Sequence, residues 1–291
     1  MVGEISALTA AFIWSVSSIV YDKIIAKTKA SATLISFYRG FFSLPFFVVS
    51  LLILEPTLPQ LSSLQWWYLS LSAILGITIG DTALFLSFQD VGVRKALLLQ
   101  TLTPLFGAFF AWIFLNESLS AYGLMGIPLT LLGIVWVISE RAAAGRSPHL
   151  WRGIIWGLIS TSSQGLGAIF VREMLDNGDI SPLWSSTFRM ALGTIILGIW
   201  LIYKGSMTFN LLSARQWQGI ASASFGGSFV GLWLHQTAFQ FAPVGIAATL
   251  LGTSPLFAVG ISLYLREKVT WRSLGGVMLA LMGIGLLLIR Q

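Results

Sequence analysis

The two halves of the sequence match each other when one is shifted along the chain by about 150 residues. The clearest match sets residues 89–117 against 240–267, and within it "TPLF" at 103–106 against "SPLF" at 254–257. Each half contains five hydrophobic stretches. Because five is odd, the second copy must enter a membrane from the side opposite to the first. Inverted repeats of this kind are typical of transporters that alternate access between two membrane faces.

The hydrophobic composition indicates which solvent surrounds the chain. Of the 291 residues, 56% are hydrophobic and only 10% are charged, whereas a soluble domain carries about a quarter charged residues. A soluble fold could not bury so much apolar surface, so we predict an all-α integral membrane protein in a lipid bilayer. The net charge of +6 comes from basic residues beside the hydrophobic stretches. That placement is typical of membrane topology and not of nucleic-acid binding.

Ten transmembrane helices are predicted, since each needs about 20 mostly apolar residues. These spans cover residues 4–25, 33–53, 66–88, 93–115, 119–139, 151–173, 183–203, 216–239, 243–265 and 270–289. We therefore predict two inverted five-helix repeats, at 1–140 and 151–291, joined by a basic linker at 141–150.

Lysine and arginine residues are distributed unequally between the two sides of these spans. Thirteen lie on the side of the membrane that holds the loops after spans 1, 3, 5, 7 and 9, and only Arg172 and Arg290 lie on the opposite side. By the positive-inside rule the odd-numbered loops are cytoplasmic, so both termini are predicted to face outward from the cell membrane.

The order of these motifs resembles the drug/metabolite transporter superfamily, in its ten-helix form with two EamA-type domains. The resemblance rests on "GDTALFLSFQDVGVRKALLLQTLTPLF" at 80–106, "LNE" at 115–117, "GIPLTLLGIVWVI" at 126–138 and their second-copy counterparts. It covers essentially the whole chain. It implies a secondary transporter whose central cavity lies between the repeats and is lined mainly by the first four helices of each. Members move amino acids, other metabolites, drugs or nucleotide-linked sugars, often outward and often with protons.

Arg39 and Asp81 are charged residues inside spans 2 and 3, and their depths in the membrane match. Charges in hydrocarbon are costly and therefore face the protein interior or water. Three interpretations remain open for them. The two form a structural ion pair, or Asp81 is a proton carrier that responds to cavity hydration and to Arg39, or Arg39 extends to the interface and Asp81 makes other contacts.

The second repeat keeps the arginine but loses the carboxylate. Arg189 is the counterpart of Arg39, while Leu232 stands where the first copy has Asp81, and the polar neighbour at similar depth is His235. An unpaired Arg189 could bind a substrate carboxylate or phosphate in a bidentate manner, and His235 could relay a proton. Alternatively, Arg189 reaches the headgroups and His235 bonds a backbone carbonyl.

Several other polar or irregular positions fall inside spans. Gln100 and Gln164 are candidate substrate contacts, although helix–helix hydrogen bonding is an equally ordinary use of glutamine. Trp14 is the repeat partner of Gln164 and a second cavity candidate. Pro104 and Pro255 interrupt the backbone hydrogen bonds near mid-span, which suits a hinge or an exposed polar backbone.

Other classes of function have little support in the sequence. The chain has no cysteine, and His149 and His235 are far apart, so no metal site, other cofactor or catalytic site is predicted. An intramembrane enzyme would have to combine His235 with a serine such as Ser228. Nothing resembles a nucleotide-binding loop, and a channel would need rings of like residues. A monomer is expected, because the duplication already supplies both halves of a cavity.

Overall fold

The computed structural model describes residues 1–28, 30–115, 121–138, 149–176, 180–242, 247, 250–266 and 270–287. Within these residues ten helices follow the predicted spans, and the prediction of an all-α membrane protein with two five-helix repeats is confirmed. In chain order they are α1 (Val2–Lys27), α2 (Ala32–Leu54), α3 (Ser63–Ala73, Ile74–Asp81 and Thr82–Val91), α4 (Val93–Gln100 and Thr103–Leu115), α5 (Ala121–Ile138), α6 (Leu150–Asp176), α7 (Pro182–Tyr203), α8 (Ala214–Ala223, Ser224–Val230 and Gly231–Phe241), α9 (Ser254–Tyr264) and α10 (Trp271–Leu287).

The same capping signals begin equivalent helices in the two repeats. The hydroxyl of Ser31 accepts a hydrogen bond from a backbone N–H in the first turn of α2, and Ser181 does the same for α7. Each such cap stabilises a helix start by about 0.5–2 kcal/mol. Arg39 and Arg189 each follow their capping serine by eight residues, so both arginines enter the membrane interior at the same depth from opposite faces.

Helices α3 and α8 each contain a wide π-helical turn. In α3 it covers Ile74–Asp81, and in α8 it covers Ser224–Val230, so the two turns begin 150 residues apart at equivalent repeat positions. A π turn bonds each N–H to the carbonyl five residues back, which is rare and is frequent at functional sites. The inverted repeat therefore extends to this irregular feature of the backbone.

The two repeats interlock rather than lie side by side. Helix α1 packs on α8 and α9 of the other repeat, and α6 packs on α3 and α4 in the equivalent way. Helix α2 packs against α7, and α5 against α10. The α5–α10 contact is tight, since a Cβ built on Gly283 would lie 2.7 Å from the carbonyl oxygen of Gly126. Small residues that let helices approach closely are a common basis of packing in membranes.

The polarity of the surface and the interior is inverted relative to a soluble protein. Large apolar side chains such as Leu52 and Ile199 are 68% and 64% exposed, while polar residues such as Ser186 and Arg189 are buried. Six helices are each long and apolar enough to cross a bilayer, and the described residues also include shorter apolar helices. The chain is a multi-pass membrane protein.

The predicted boundary between the repeats stays a prediction. The linker at 141–150 falls almost entirely outside the described residues, which resume at His149. The assignment of 1–140 and 151–291 to separate repeats is compatible with helices α5 and α6 on either side of that gap.

Candidate functional site

Arg39 and Asp81 form an ion pair between α2 and α3. The guanidinium Nη2 donates to Oδ2 of Asp81, and each side chain is 14% exposed. The Cζ atom of Arg39 also lies 5.5 Å from the centroid of the Phe85 ring. Asp81 is the last residue of the π turn, so the irregular backbone of α3 carries the carboxylate of the pair.

A series of side-chain hydrogen bonds continues from Asp81 into the second repeat. Nε2 of Gln164, on α6, donates to Oδ1 of Asp81 at 3.4 Å and to the hydroxyl of Ser160 at 3.3 Å. Nε2 of Gln100, on α4, donates to the same hydroxyl at 3.2 Å. Four of the predicted site residues, Arg39, Asp81, Gln100 and Gln164, are thus brought together by contacts that cross the repeat interface.

Trp14, on α1 of the first repeat, is the counterpart of Gln164, on α6 of the second repeat. Its Nε1 donates to the carbonyl of Gly227 in the π turn of α8 at 2.8 Å. A Cβ built on Gly231, at the end of that turn, would lie 2.7 Å from Nε1 of Trp14, and one built on Gly80 would lie 2.7 Å from Cγ of Gln164. Each repeat's first helix therefore inserts a polar side chain against a glycine near the end of the other repeat's π turn.

Arg189 differs from Arg39 in that no described residue forms an ion pair with it. Its side chain is buried, with the residue 8% exposed, and its Nε is enclosed without a hydrogen bond. Within the described part of the chain it makes no ion pair. Its guanidinium lies against the π turn of α3, where a Cβ built on Gly76 would come 2.8 Å from Nη2.

His235 lies in an aromatic setting on α8. Its ring centroid is 5.2 Å from that of Trp14 and 5.0 Å from that of Phe239. Its Nδ1 is buried without a hydrogen bond among the described residues. The structure therefore places His235 beside Trp14, and no hydrogen bond joins it to Arg189 there.

Two buried hydroxyl groups near these residues were not singled out by the sequence. The hydroxyl oxygens of Thr78 in the α3 π turn and Thr194 on α7 lack partners in the described structure. Buried polar groups are usually hydrogen-bonded, so a group of unpaired ones suggests a place where a ligand or water binds. Serine and threonine are common in membrane helices, and their number alone gives no such signal.

The two prolines lie where the helices are interrupted. Pro104 follows a break between Gln100 and Thr103 in α4, and Pro255 stands in the first turn of α9. In α9 the hydroxyl of Ser254 donates to the carbonyl of Leu251 at 2.9 Å, which is the carbonyl that the missing N–H of Pro255 leaves free. In α4 the hydroxyl of Thr101 donates to the carbonyl of Leu98 at 2.7 Å, which also accepts the backbone N–H of Thr101.

A second ion pair, which the sequence did not predict, lies at the end of α3. Asp90 is buried, at 4% exposure of its side chain, and binds Arg152 at the start of α6. The pair borders a cavity of about 300 Å³ lined also by Leu86, Gln89 and Trp156. The predicted span 3 ends at residue 88, so the sequence analysis gave Asp90 no role and did not place it beside Arg152.

Nothing in the described residues resembles a metal centre, since no group of three or more His, Cys, Asp or Glu side chains comes together there. The central side chains of the described residues are hydrogen-bonding groups, two arginines and the carboxylate of Asp81. Such groups can bind an anionic or polar solute.

Comparison with known proteins identifies relatives along nearly the full chain. The model of the EamA-like transporter family matches residues 1–139 and again 151–289. An uncharacterized transporter, YvbV, of Bacillus subtilis (strain 168) is 26% identical over 246 residues, which is 80% of this chain and 77% of the relative. An uncharacterized transporter of Archaeoglobus fulgidus is 24% identical over 291 residues, or 99% of each chain.

The fold also resembles that of a protein with a crystal structure. The two share a TM-score of 0.71 at 13% sequence identity, over 98% of this chain and 95% of the other. At that identity the similarity bears on the fold alone.

Proposed function

Because the chain belongs to the EamA-like transporter family, we propose that it is a secondary active transporter that exports small organic solutes by alternating access. The solutes are amino acids or related metabolites and drugs, and they bind in a central cavity between the two repeats. The proposed cavity residues are Trp14, Arg39, Gln100, Gln164, Arg189 and His235, with Pro104 and Pro255 as hinges in the adjoining helices.

The hydrogen bond from Gln164 to Asp81 supports this proposal most directly. It connects the first helix of the second repeat to the π turn of the first repeat, so a substrate or proton that changes the state of Asp81 acts on the interface between repeats. A secondary transporter needs such a link, because its two repeats must move relative to one another around a fixed site.

Asp81 is the proposed proton carrier. Protonation neutralises its carboxylate, and this weakens the ion pair with Arg39 and the hydrogen bond from Gln164. Since those contacts join α3 to α2 and to α6, the two protonation states favour different arrangements of the repeats. A proton gradient can then bias the equilibrium between inward-open and outward-open forms.

The proposed direction is export, in exchange for an incoming proton. If the basic face is cytoplasmic, as the positive-inside rule indicates, Arg39 and Asp81 lie on the cytoplasmic half of the membrane. An incoming proton that binds Asp81 from outside and leaves toward the cytoplasm would drive a solute in the opposite direction.

A facilitator or exchanger without proton coupling is the second candidate, and the geometry of one pair favours it. Arg39 and Asp81 already compensate each other's charge, and a buried ion pair of this kind can serve only to tie two helices together. In this version Asp81 keeps its charge through the cycle. A channel is the third candidate, and saturable counterflow distinguishes a carrier from it.

The test uses purified protein in liposomes with an internal pH dye. Counterflow and proton movement are measured for one zwitterion, one anion and one cation: phenylalanine, 3-phenylpropionate and ethidium. Wild type is compared with Asp81→Asn and, as a matched control, with Glu4→Gln, whose carboxylate pairs with the amino terminus of its own helix. Proton movement that accompanies transport in wild type and control but is lost in Asp81→Asn supports coupling.

Each other outcome selects a different candidate. Counterflow without proton movement in wild type would favour the facilitator or exchanger. Flux that does not saturate would favour the channel. No flux of any of the three solutes would contradict the transporter proposal for these charge classes.

A further inference from the structure

Among the described residues in the middle of the spans there are two arginines but one carboxylate. Of the eleven acidic residues in the sequence, only Asp81 falls in the middle of a span, and Arg39 already binds it. Arg189 is 8% exposed and has no ion pair in the part of the chain that the structure describes. Leaving a buried charge without a partner is strongly unfavourable, so an anion is the missing component.

The guanidinium of Arg189 lies against the backbone of the α3 π turn. A Cβ at Gly76 would lie 2.8 Å from its Nη2, so glycine at this point of the π turn leaves the space that the side chain fills. Further along the same face of α7, a Cβ at Gly193 would lie 3.5 Å from the hydroxyl oxygen of Thr78. That hydroxyl and Nε of Arg189 are both buried and unpaired.

An apolar and aromatic surface lies on the neighbouring helix. His235 lies on α8, which packs against α7, and the adjacent Gln236 donates from Nε2 to the hydroxyl of Ser185 at 3.2 Å, one helical turn before Arg189. The ring of His235 is packed between those of Trp14 and Phe239 at centroid distances of 5.2 and 5.0 Å. A buried cation on α7 and a row of rings on and beside the helix packed against it fit a ligand that has an anionic end and an apolar or aromatic body.

We propose that Arg189 binds the carboxylate of a small organic monoanion whose apolar or aromatic part lies against Trp14, His235 and Phe239. This inference rests on the transporter function proposed above and names the substrate class of the same site. The planar fork of arginine binds a carboxylate through two parallel hydrogen bonds. The unpaired hydroxyl of Thr78 supplies a further donor on the same side.

The charge count selects a carboxylate over a phosphate monoester. A carboxylate carries one negative charge and compensates Arg189 fully. A phosphate monoester carries about 1.5–2 negative charges at neutral pH, which would leave the interior with excess negative charge.

The experiment compares a carboxylate with its uncharged amide. Binding of 3-phenylpropionate and of 3-phenylpropionamide to detergent-purified protein is measured by calorimetry for wild type, Arg189→Gln and Arg189→Lys. Arg215→Gln removes an exposed arginine on the basic face and is the matched control. All four proteins are first required to be monodisperse, and the charge-conserving lysine variant covers the case in which Arg189→Gln does not fold.

Wild type and Arg215→Gln are expected to bind the carboxylate at least about tenfold more tightly than the amide, as charge-assisted hydrogen bonds imply. Arg189→Gln should lose this preference while its affinity for the amide stays the same. Arg189→Lys should keep part of the preference for the carboxylate, because lysine supplies the positive charge but not the two parallel donors of the guanidinium. Equal binding of carboxylate and amide by wild type, no binding of the carboxylate at millimolar concentration, or an unchanged preference in Arg189→Gln would overturn the inference.

Failure of this inference and failure of the proposed function give different results. If wild type shows counterflow of phenylalanine or ethidium but no preference for the carboxylate over the amide, only the assignment of Arg189 is wrong. If it moves none of the three solutes, the transporter proposal itself is contradicted.

Discussion

Arg152 donates two hydrogen bonds to Asp90, from Nε at 2.8 Å and from Nη2 at 2.6 Å, and so joins the start of α6 to the end of α3. This bidentate pair lies at the basic face. The equivalent contact at the opposite face is apolar, since a Cβ built on Gly3 of α1 would lie 2.6 Å from Cβ of Ala242 after α8. Only one of two equivalent helix contacts therefore carries an ion pair, although the helices around them are related by the repeat.

Replacing Asp90 with asparagine is expected to open the basic face. Charge-assisted hydrogen bonds contribute about 1.5–3 kcal/mol, so their loss shifts the equilibrium toward the form in which α3 and α6 separate there. Because the chain has no cysteine, a single Leu86→Cys substitution in the adjoining cavity can report this opening. Its reaction with a water-soluble maleimide should become several-fold faster in Asp90→Asn. The same increase in Lys204→Gln, which removes an exposed charge, would show that the effect is not due to the pair.

Gly76→Ala is expected to disturb the site through Arg189. The new Cβ would lie 2.8 Å from Nη2 of Arg189, so the guanidinium must move. The preference for 3-phenylpropionate over its amide should fall by about tenfold, which corresponds to the loss of roughly one charge-assisted hydrogen bond. Gly275→Ala is the control, because a Cβ there meets open space. An unchanged preference in Gly76→Ala would contradict the position assigned to the guanidinium.

Gly283→Ala should destabilise the contact between α5 and α10. Its Cβ would lie 2.7 Å from the carbonyl oxygen of Gly126, and a backbone atom cannot give way as a flexible side chain does. We expect a loss of about 1–3 kcal/mol, typical of overpacking, seen as a lower midpoint of thermal unfolding in detergent. Gly285→Ala, on the same helix but facing open space, should be neutral or slightly stabilising. Equal behaviour of the two variants would show that the close contact is absent in solution.

Trp14→Phe should cost about 0.5–1.5 kcal/mol of stability, the net value of one hydrogen bond. Phenylalanine keeps a ring near His235 but leaves the carbonyl of Gly227 without the indole N–H that lies 2.8 Å from it. The midpoint of thermal unfolding in detergent measures this loss of stability. Trp271→Phe, at a tryptophan that is 87% exposed, is the control and should leave the midpoint unchanged. A similar loss in both variants would indicate a general effect of removing tryptophan.

Hydropathy, charge bias and internal repetition predicted most of the fold. The spans could be predicted because lipid requires long apolar helices. The depths of Arg39 and Asp81 could be compared because each can be counted from the end of its own span. That count made an ion pair between them one of three interpretations. The lack of a carboxylate opposite Arg189 was likewise visible in the sequence.

Features that depend on hydrogen-bond register or on helix ends were not predicted. The π turns at Ile74–Asp81 and Ser224–Val230 leave hydropathy unchanged, because one altered hydrogen bond per turn adds no polar side chain. The pairing of Asp90 with Arg152 was missed because charges at span ends are usually solvated. The orphaned hydroxyl of Thr78 became visible only when its neighbours were placed in three dimensions.

The close approach of α5 and α10 limits how the two repeats can move. At Gly133 a Cβ would lie 3.0 Å from Cα of Ala280, so the two backbones touch without intervening side chains. Sliding one helix along the other would drive side chains into that backbone, whereas rotation about their common line keeps the contact intact. For the proposed transport cycle we therefore expect a single degree of freedom, an angle between the repeats that changes about the α5–α10 line.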